Sequence, residues 1–189
     1  MNTLLQNHLK SQIPGLSDGE LDRFVRMWTI SKTIKRNELL YKAGTSENNI
    51  YFIEEGAVKI CHESDEEEII VEFGYKNSCV FNLPSFITDS PSEFYIQAIK
   101  ATRLVGISKS NFLKMLVESP SLSAHWQNNL EKQLLNFAQR EIDLLSKSPA
   151  NRLRRLYDRK PEIFQHIPNK HIALYLGMKP ETLSRLRKR

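Results

Sequence analysis

The spacing of apolar positions changes twice along this chain, and the changes divide it into three stretches. Residues 1 to about 28 carry helical spacing. In "LSDGEL", Ser17 and Glu20 stand at capping-box distance, with Leu16 and Leu21 placed as a hydrophobic staple. From Thr29 to about Ile107 the texture turns to short strand-like runs, "YFIEEGAVKI", "EEIIVEFGY" and "FYIQAIKATRLVGI", rich in Ile, Val, Phe and Tyr. Gly44, Glu55-Gly56 and "TDSPSE" supply the turns between them. Several short strands in about 80 residues predict a small antiparallel barrel or jelly roll.

Helical spacing returns after Ser108, where Ser110 is placed to cap "NFLKMLVE". A second helix then runs to Lys147 with no glycine or proline after Pro120. Trp126, Leu130, Leu134, Phe137 and Leu144 form an apolar stripe along it, interrupted by Glu141. Such a stripe serves either the chain's own domain or a coiled-coil seam between two copies; the helix's length and its place after a β unit favour the seam. "KSPAN" breaks the helix, and Pro149 opens a last unit.

That last unit changes the electrostatic picture. The chain is +5 overall, but from Lys147 onward twelve Lys or Arg face three Asp or Glu, and the remainder is net acidic. A cationic end on an acidic body points to a polyanion as partner. "ESDEEE", Glu63 to Glu68, is the one acidic run and reads as a solvated hairpin loop; it lacks EF-hand spacing.

The closing residues, "IPNKHIALYLGMKPETLSRLRKR", give the cationic end a shape. Pro168 suits a first helical turn, and Ile172 and Leu176 share a face. Ala173 lets a second helix cross closely. Gly177 stands where a left-handed residue must end the first helix, Lys179 at the cap and Pro180 at the start of the second, and Leu183 and Leu186 bury that second helix against the first. These spacings are those of a helix-turn-helix. Its second helix presents Pro180, Glu181, Thr182, Ser184 and Arg185 as base-reading candidates, since Arg pairs bidentately with guanine and Glu accepts from cytosine. Lys170, Lys179, Arg187, Lys188 and Arg189 suit phosphates, which fix register without reading sequence.

Other chemistry is sparse. Hydrophobic content of 40% and charged content of 26% fit a globular chain with a core, and no run approaches a membrane span. No secretory leader precedes the first helix. Two cysteines, Cys61 and Cys79, support neither a disulfide framework nor a zinc site, and strand-like surroundings predict buried, inert thiols in a reducing cytoplasm. His8, His62, His125, His166 and His171 are scattered, and no phosphate loop, dinucleotide fingerprint or nucleophile elbow occurs. The expectation is a non-enzyme without metal or resident cofactor.

On "YFIEEGAVKI", with Gly56 at its turn, and "IALYLGMKPETLSRLRK", the chain resembles the Crp/Fnr family of bacterial transcription regulators. The resemblance implies an α+β fold: an antiparallel β-roll of jelly-roll, cyclic-nucleotide-binding type, then a long dimerisation helix and a C-terminal helix-turn-helix. The corresponding domains are 1–118, 119–147 and 148–189. It also implies a cytoplasmic homodimer on double-stranded DNA with a pseudo-palindromic operator, RNA polymerase as a further partner, and no membrane. Glu181 and Arg185 then fall on the family's base-reading positions. The effector pocket departs from the family pattern: aligned without gaps, Phe81-Asn82-Leu83 and Ser92-Glu93 stand where cyclic-AMP binders carry a Gly-Glu-Leu stretch and an arginine followed by Ser or Thr. An amide replaces a carboxylate and Ser92 the phosphate-binding arginine, so cyclic AMP control is not expected and the effector is left unknown. The rival reading is a degenerate ligand or protein receptor module of the same β-roll type that does not bind DNA.

Overall fold

The computed structural model describes residues 2–62, 64 and 68–188. Two short helices, α1 (Thr3–Gln12) and α2 (Asp18–Arg26), open the chain and separate at Pro14-Gly15. The capping box at α2 is formed: Ser17 accepts from the Glu20 backbone, and the Glu20 carboxylate accepts from the Ser17 N–H at 3.0 Å.

Eight strands follow: β1 (Ile30–Ile34), β2 (Leu39–Tyr41), β3 (Asn49–Glu55), β4 (Ala57–His62), β5 (Ile69–Tyr75), β6 (Cys79–Val80), β7 (Phe94–Ala98) and β8 (Thr102–Ser108). Helix α3 (Leu83–Thr88) lies between β6 and β7. The strands form two antiparallel four-stranded sheets, ordered β1-β8-β3-β6 and β2-β7-β4-β5. Their inner faces enclose a core of Ile34, Tyr51, Ile53, Val58, Ile96 and Leu104, the expected jelly-roll arrangement. Gly56 makes the β3–β4 turn with φ +97°, and a Cβ there would stand 2.4 Å from the Ala101 carbonyl, so no other residue fits. Of the acidic run between β4 and β5, Glu63, Asp65, Glu66 and Glu67 lie outside the described residues. Glu68 is described, and it pairs with the buried Lys59 and accepts from the Tyr95 hydroxyl at 3.0 Å.

Helix α4 (Lys109–Glu118) is capped by Ser108, two residues before the expected Ser110, because the Ser108 hydroxyl is the one that reaches the Asn111 N–H. Helix α5 (Pro120–Leu145) is the long helix, 26 residues. Then come α6 (Pro149–Arg159), α7 (Ile163–His166), α8 (Asn169–Tyr175) and α9 (Pro180–Arg187). Among the described residues no helix is long and apolar enough to cross a membrane.

The C-terminal helices sit directly on the outer face of the β4–β5 sheet. Ala57, Cys61, Ile70 and Phe73 of the sheet share one buried cluster with Leu156, Ile172, Tyr175 and Leu183 of the helices. Phe73 and Tyr175 rings lie 5.3 Å apart, and His166 stacks on Tyr75 at 4.9 Å. An ion pair of 2.6 Å joins Lys160 to Glu72 across 88 residues of chain. His171, buried against this sheet beside Lys59, has its pKa lowered to about 4, first by desolvation and then by that cation.

Candidate nucleic-acid interface and ligand cavity

Helices α8 and α9 form the turn that the spacing predicts. Gly177 takes φ +60°, and the Met178 N–H closes back on the Ala173 carbonyl at 3.0 Å. Lys179 is the N-cap of α9 and Pro180 its first residue. Ile172, Ala173 and Leu183 are fully buried where the helices cross, with Leu176 beside them. Pro168 is the N-cap of α8 rather than its first helical residue.

With that face buried, the opposite face of α9 is open. Pro180, Glu181, Ser184 and Arg185 are exposed, and Thr182 is half-buried. Lys170, Lys179 and Lys188 are exposed around it. Arg187 is also exposed but already engaged: its guanidinium bonds the Asn169 side chain and lies 5.6 Å over the Phe164 ring, tying the end of α9 to the start of α8. Arg189 lies outside the described residues.

A cavity of about 700 Å³ opens between the β-roll, α5 and the segment after α6. Phe81, Asn82 and Leu83 line it. Ser92 and Glu93, grouped with them by the ungapped alignment, are not among its lining residues. The Ser92 hydroxyl accepts from the Phe94 N–H at 3.1 Å within a local turn, and Glu93 is exposed and bonded to His62 at 2.9 Å. Asn82 is 1% exposed and caps α3 by accepting from the Ser85 N–H, so its carbonyl oxygen is already used. The walls given by the roll, from Ile60 through Phe94, contain no Lys or Arg and one acidic residue, Glu72. The roll wall thus gives a cyclic nucleotide little to hold it. Its phosphate would meet no cation on the roll, and its ribose would meet an amide already spent on a helix cap.

The cations of the cavity come instead from the helical side: Arg140 of α5, and Arg159 and Lys160 at the end of α6. Arg159 pairs with Asp143 at 2.6 Å and Lys160 with Glu72 at 2.6 Å. Arg140 has no carboxylate partner among the described residues. Its Nη2 donates to the carbonyls of Ile70 (2.8 Å) and Tyr175 (3.5 Å), and its guanidinium lies 4.7 Å over the Tyr175 ring. Arg140 therefore touches β5, the cavity and the first helix of the helix-turn-helix at once. Sequence reasoning passed over it; the available signal was its phase, three residues after Phe137 on the same helical face.

The same phase argument divides the stripe on α5. Trp126 packs into the chain's own aromatic cluster, 4.9 Å from Phe112 and 5.6 Å from Phe81. Leu130 and Phe137 line the cavity, and Leu144 lies against Gly177. Of the five residues assigned to a seam, Trp126 and Leu130 are half-buried against the chain itself, whereas Phe137 and Leu144 touch it and stay exposed, at 39% and 37%. Leu134 stands apart, 69% exposed. Beside it run Leu135, Ala138, Ile142 and Leu145, all exposed and spaced three, four and three residues apart. The cysteines also differ from expectation in part. Cys61 is buried and Cys79 exposed at its residue surface, yet desolvation pushes both thiols up to about 12.

A β-roll carrying a helix-turn-helix on its outer sheet defines the class of protein. Residues 31–119 match the model of the cyclic nucleotide-binding domain family. The whole chain shares its fold with CooA from Carboxydothermus hydrogenoformans, solved as a mutant, at 19% identity over all of this chain and 84% of that one, TM-score 0.73. It is similar as well to the c-di-GMP responsive global regulator CLP of Xanthomonas campestris (20% identity, 91% and 90% of the chains, TM-score 0.67). The Thermus thermophilus catabolite activator protein gives 18% identity, 94% and 84% coverage and a TM-score of 0.59. An uncharacterized Haemophilus influenzae protein is 21% identical over 56% of this chain and 81% of its own length. The β-roll read from the sequence is thus matched by the domain model, and the whole chain by the fold of these regulators.

Proposed function

We propose that this protein is a homodimeric, sequence-specific DNA-binding transcription regulator of the Crp/Fnr type, acting in the cytoplasm and not controlled by cyclic AMP. The observation that carries the reading is the open face of α9. Glu181, Ser184 and Arg185 project from a helix whose other side is locked into a helix-turn-helix, with Lys170, Lys179 and Lys188 flanking it. Such a helix matches the width of a major groove, and its flanking cations suit the phosphates on either side. The exposed stripe of Leu135, Ala138, Ile142 and Leu145, with Leu134 alongside, is the seam we assign to the dimer. Two copies then set their recognition helices about one DNA turn, ~34 Å, apart on a pseudo-palindrome. The regulator works on RNA polymerase rather than as an enzyme. The Asn82 and Ser92 hydrogen bonds support independence from cyclic AMP.

Arg185→Ala tests the base-reading role. On a duplex selected by the wild-type protein it is expected to cost roughly 1–3 kcal/mol and to relax preference at one base pair. Binding isotherms on that duplex and its single-base variants measure both. Equal weakening on every sequence would reduce Arg185 to a phosphate contact. A protein that ignores DNA altogether would leave the β-roll as a receptor module.

A further inference from the structure

We propose that the cavity between the β-roll and α5 is a site for a small organic acid with an apolar body and one carboxylate, its carboxylate taken by Arg140. The inference rests on the regulator reading only for the purpose of the site. Its chemistry follows from the walls.

The roll side is apolar and aromatic: Phe73, Val80, Phe81 and Phe94 stand there, with Leu130 and Phe137 opposite on α5. At about 700 Å³ the space lies within the range of small-molecule sites, and an apolar body gains by leaving water for it. The charges are divided unevenly. Arg159 and Lys160 are matched by Asp143 and Glu72, which leaves Arg140 as the cation without a carboxylate partner among the described residues. Its Nε–H is buried and has no hydrogen-bond acceptor there. Among the described residues its hydrogen bonds reach only carbonyl oxygens, and a carboxylate arriving through the cavity supplies the charge-assisted partner it lacks. A dianionic phosphate suits the site less well, because Glu72 and Glu162 stand on the same walls and one free cation does not offset a second negative charge.

The position of Arg140 also says what occupancy would do. The guanidinium now holds the Tyr175 carbonyl at the C-terminal end of α8. An anion that recruits it draws on the contact between α5 and the helix-turn-helix. Ligand binding and placement of the recognition helix therefore share one side chain, so a ligand that binds the two arrangements unequally shifts between them.

Isothermal titration of the full chain, without DNA, with phenylacetate and decanoate tests the site; phenylacetamide and cyclic AMP are the comparisons. A saturable heat is expected with at least one of the carboxylates. Phenylacetamide should bind roughly tenfold or more weakly than phenylacetate, the loss of a charge-assisted hydrogen bond. Arg140→Gln should bring the acid down to the affinity of the amide. Leu130→Trp, which fills the cavity and leaves Arg140 in place, should abolish binding with the thermal transition retained. Silence from both acids at millimolar concentration overturns the proposal, as does amide binding equal to acid, or tighter binding of cyclic AMP. DNA plays no part in the titration, so a failure here leaves the DNA-reading proposal standing, and the reverse is equally true.

Discussion

Glutamate at both Leu135 and Ile142 is expected to convert the proposed dimer to monomers and to lower affinity for a two-half-site duplex by about 10²–10⁴-fold. The magnitude is the advantage lost when a second recognition helix is no longer held beside the first. Leu135, Ala138, Ile142 and Leu145 follow the alternating three-and-four spacing of a two-stranded coiled coil, and Leu135 and Ile142 are 62% and 55% exposed in the single chain. Two carboxylates buried at that seam would face their own copies across it, a like-charge arrangement. Neither side chain belongs to the core clusters of the chain, so the fold should survive. Sedimentation equilibrium reads the assembly directly. Dimers that persist in the double variant would move the interface elsewhere.

Asp143→Ala is expected to destabilise the chain by about 3 kcal/mol, the low end for breaking a buried ion pair from one side. The Asp143 side chain is 2% exposed and receives Arg155 Nε at 2.6 Å and Arg159 Nη2 at 2.6 Å. It joins the end of α5 to α6, the first helix of the C-terminal unit. Removing the carboxylate leaves Arg159, 16% exposed, with a charge and nothing to neutralise it. Arg155 is 41% exposed and returns to water at little cost, which is why the low end applies. Denaturant unfolding measures the loss. A change below about 1 kcal/mol would mean that the carboxylate acts as an exposed one does.

The sequence carried the helix-turn-helix almost completely, because each of its constraints is local. Gly177 must be left-handed, Pro180 must open a helix, and Ile172, Leu176 and Leu183 must face one another within a dozen residues. The capping box at Ser17 was legible for the same reason. The α5 stripe was ambiguous because two patterns run side by side. Leu130, Leu134, Phe137 and Leu144 follow gaps of four, three and seven residues, with Glu141 in the last gap, and Leu135, Ala138, Ile142 and Leu145 run beside them shifted by one residue. Periodicity shows that both exist; which faces its own β-roll depends on where the roll lies, and that is a tertiary fact. Trp126 makes the point, since its ring is claimed by Phe81, Phe86 and Phe112.

The cavity was half legible for a related reason. Phe81, Asn82 and Leu83 follow a short strand and stay where their local structure puts them. Ser92 and Glu93 follow a turn whose own hydrogen bonds draw them aside to Phe94 and His62. The partners that matter most at the junction are far apart in the chain: Glu72 with Lys160, and Arg140 with the carbonyls of Ile70 and Tyr175. No window of sequence contains both members of such a pair. The outer face of β5, with Ile70 and Phe73, likewise gave no sign that α8 would cover it.

The most direct test of a dimer that reads DNA is selection from a pool of randomised duplexes by the purified full-length protein. The account predicts enrichment of a pseudo-palindrome whose half-sites are centred about one helical turn, ~34 Å, apart, with affinity falling steeply as salt rises. A pool that emerges unenriched, even in dilute salt, would contradict it.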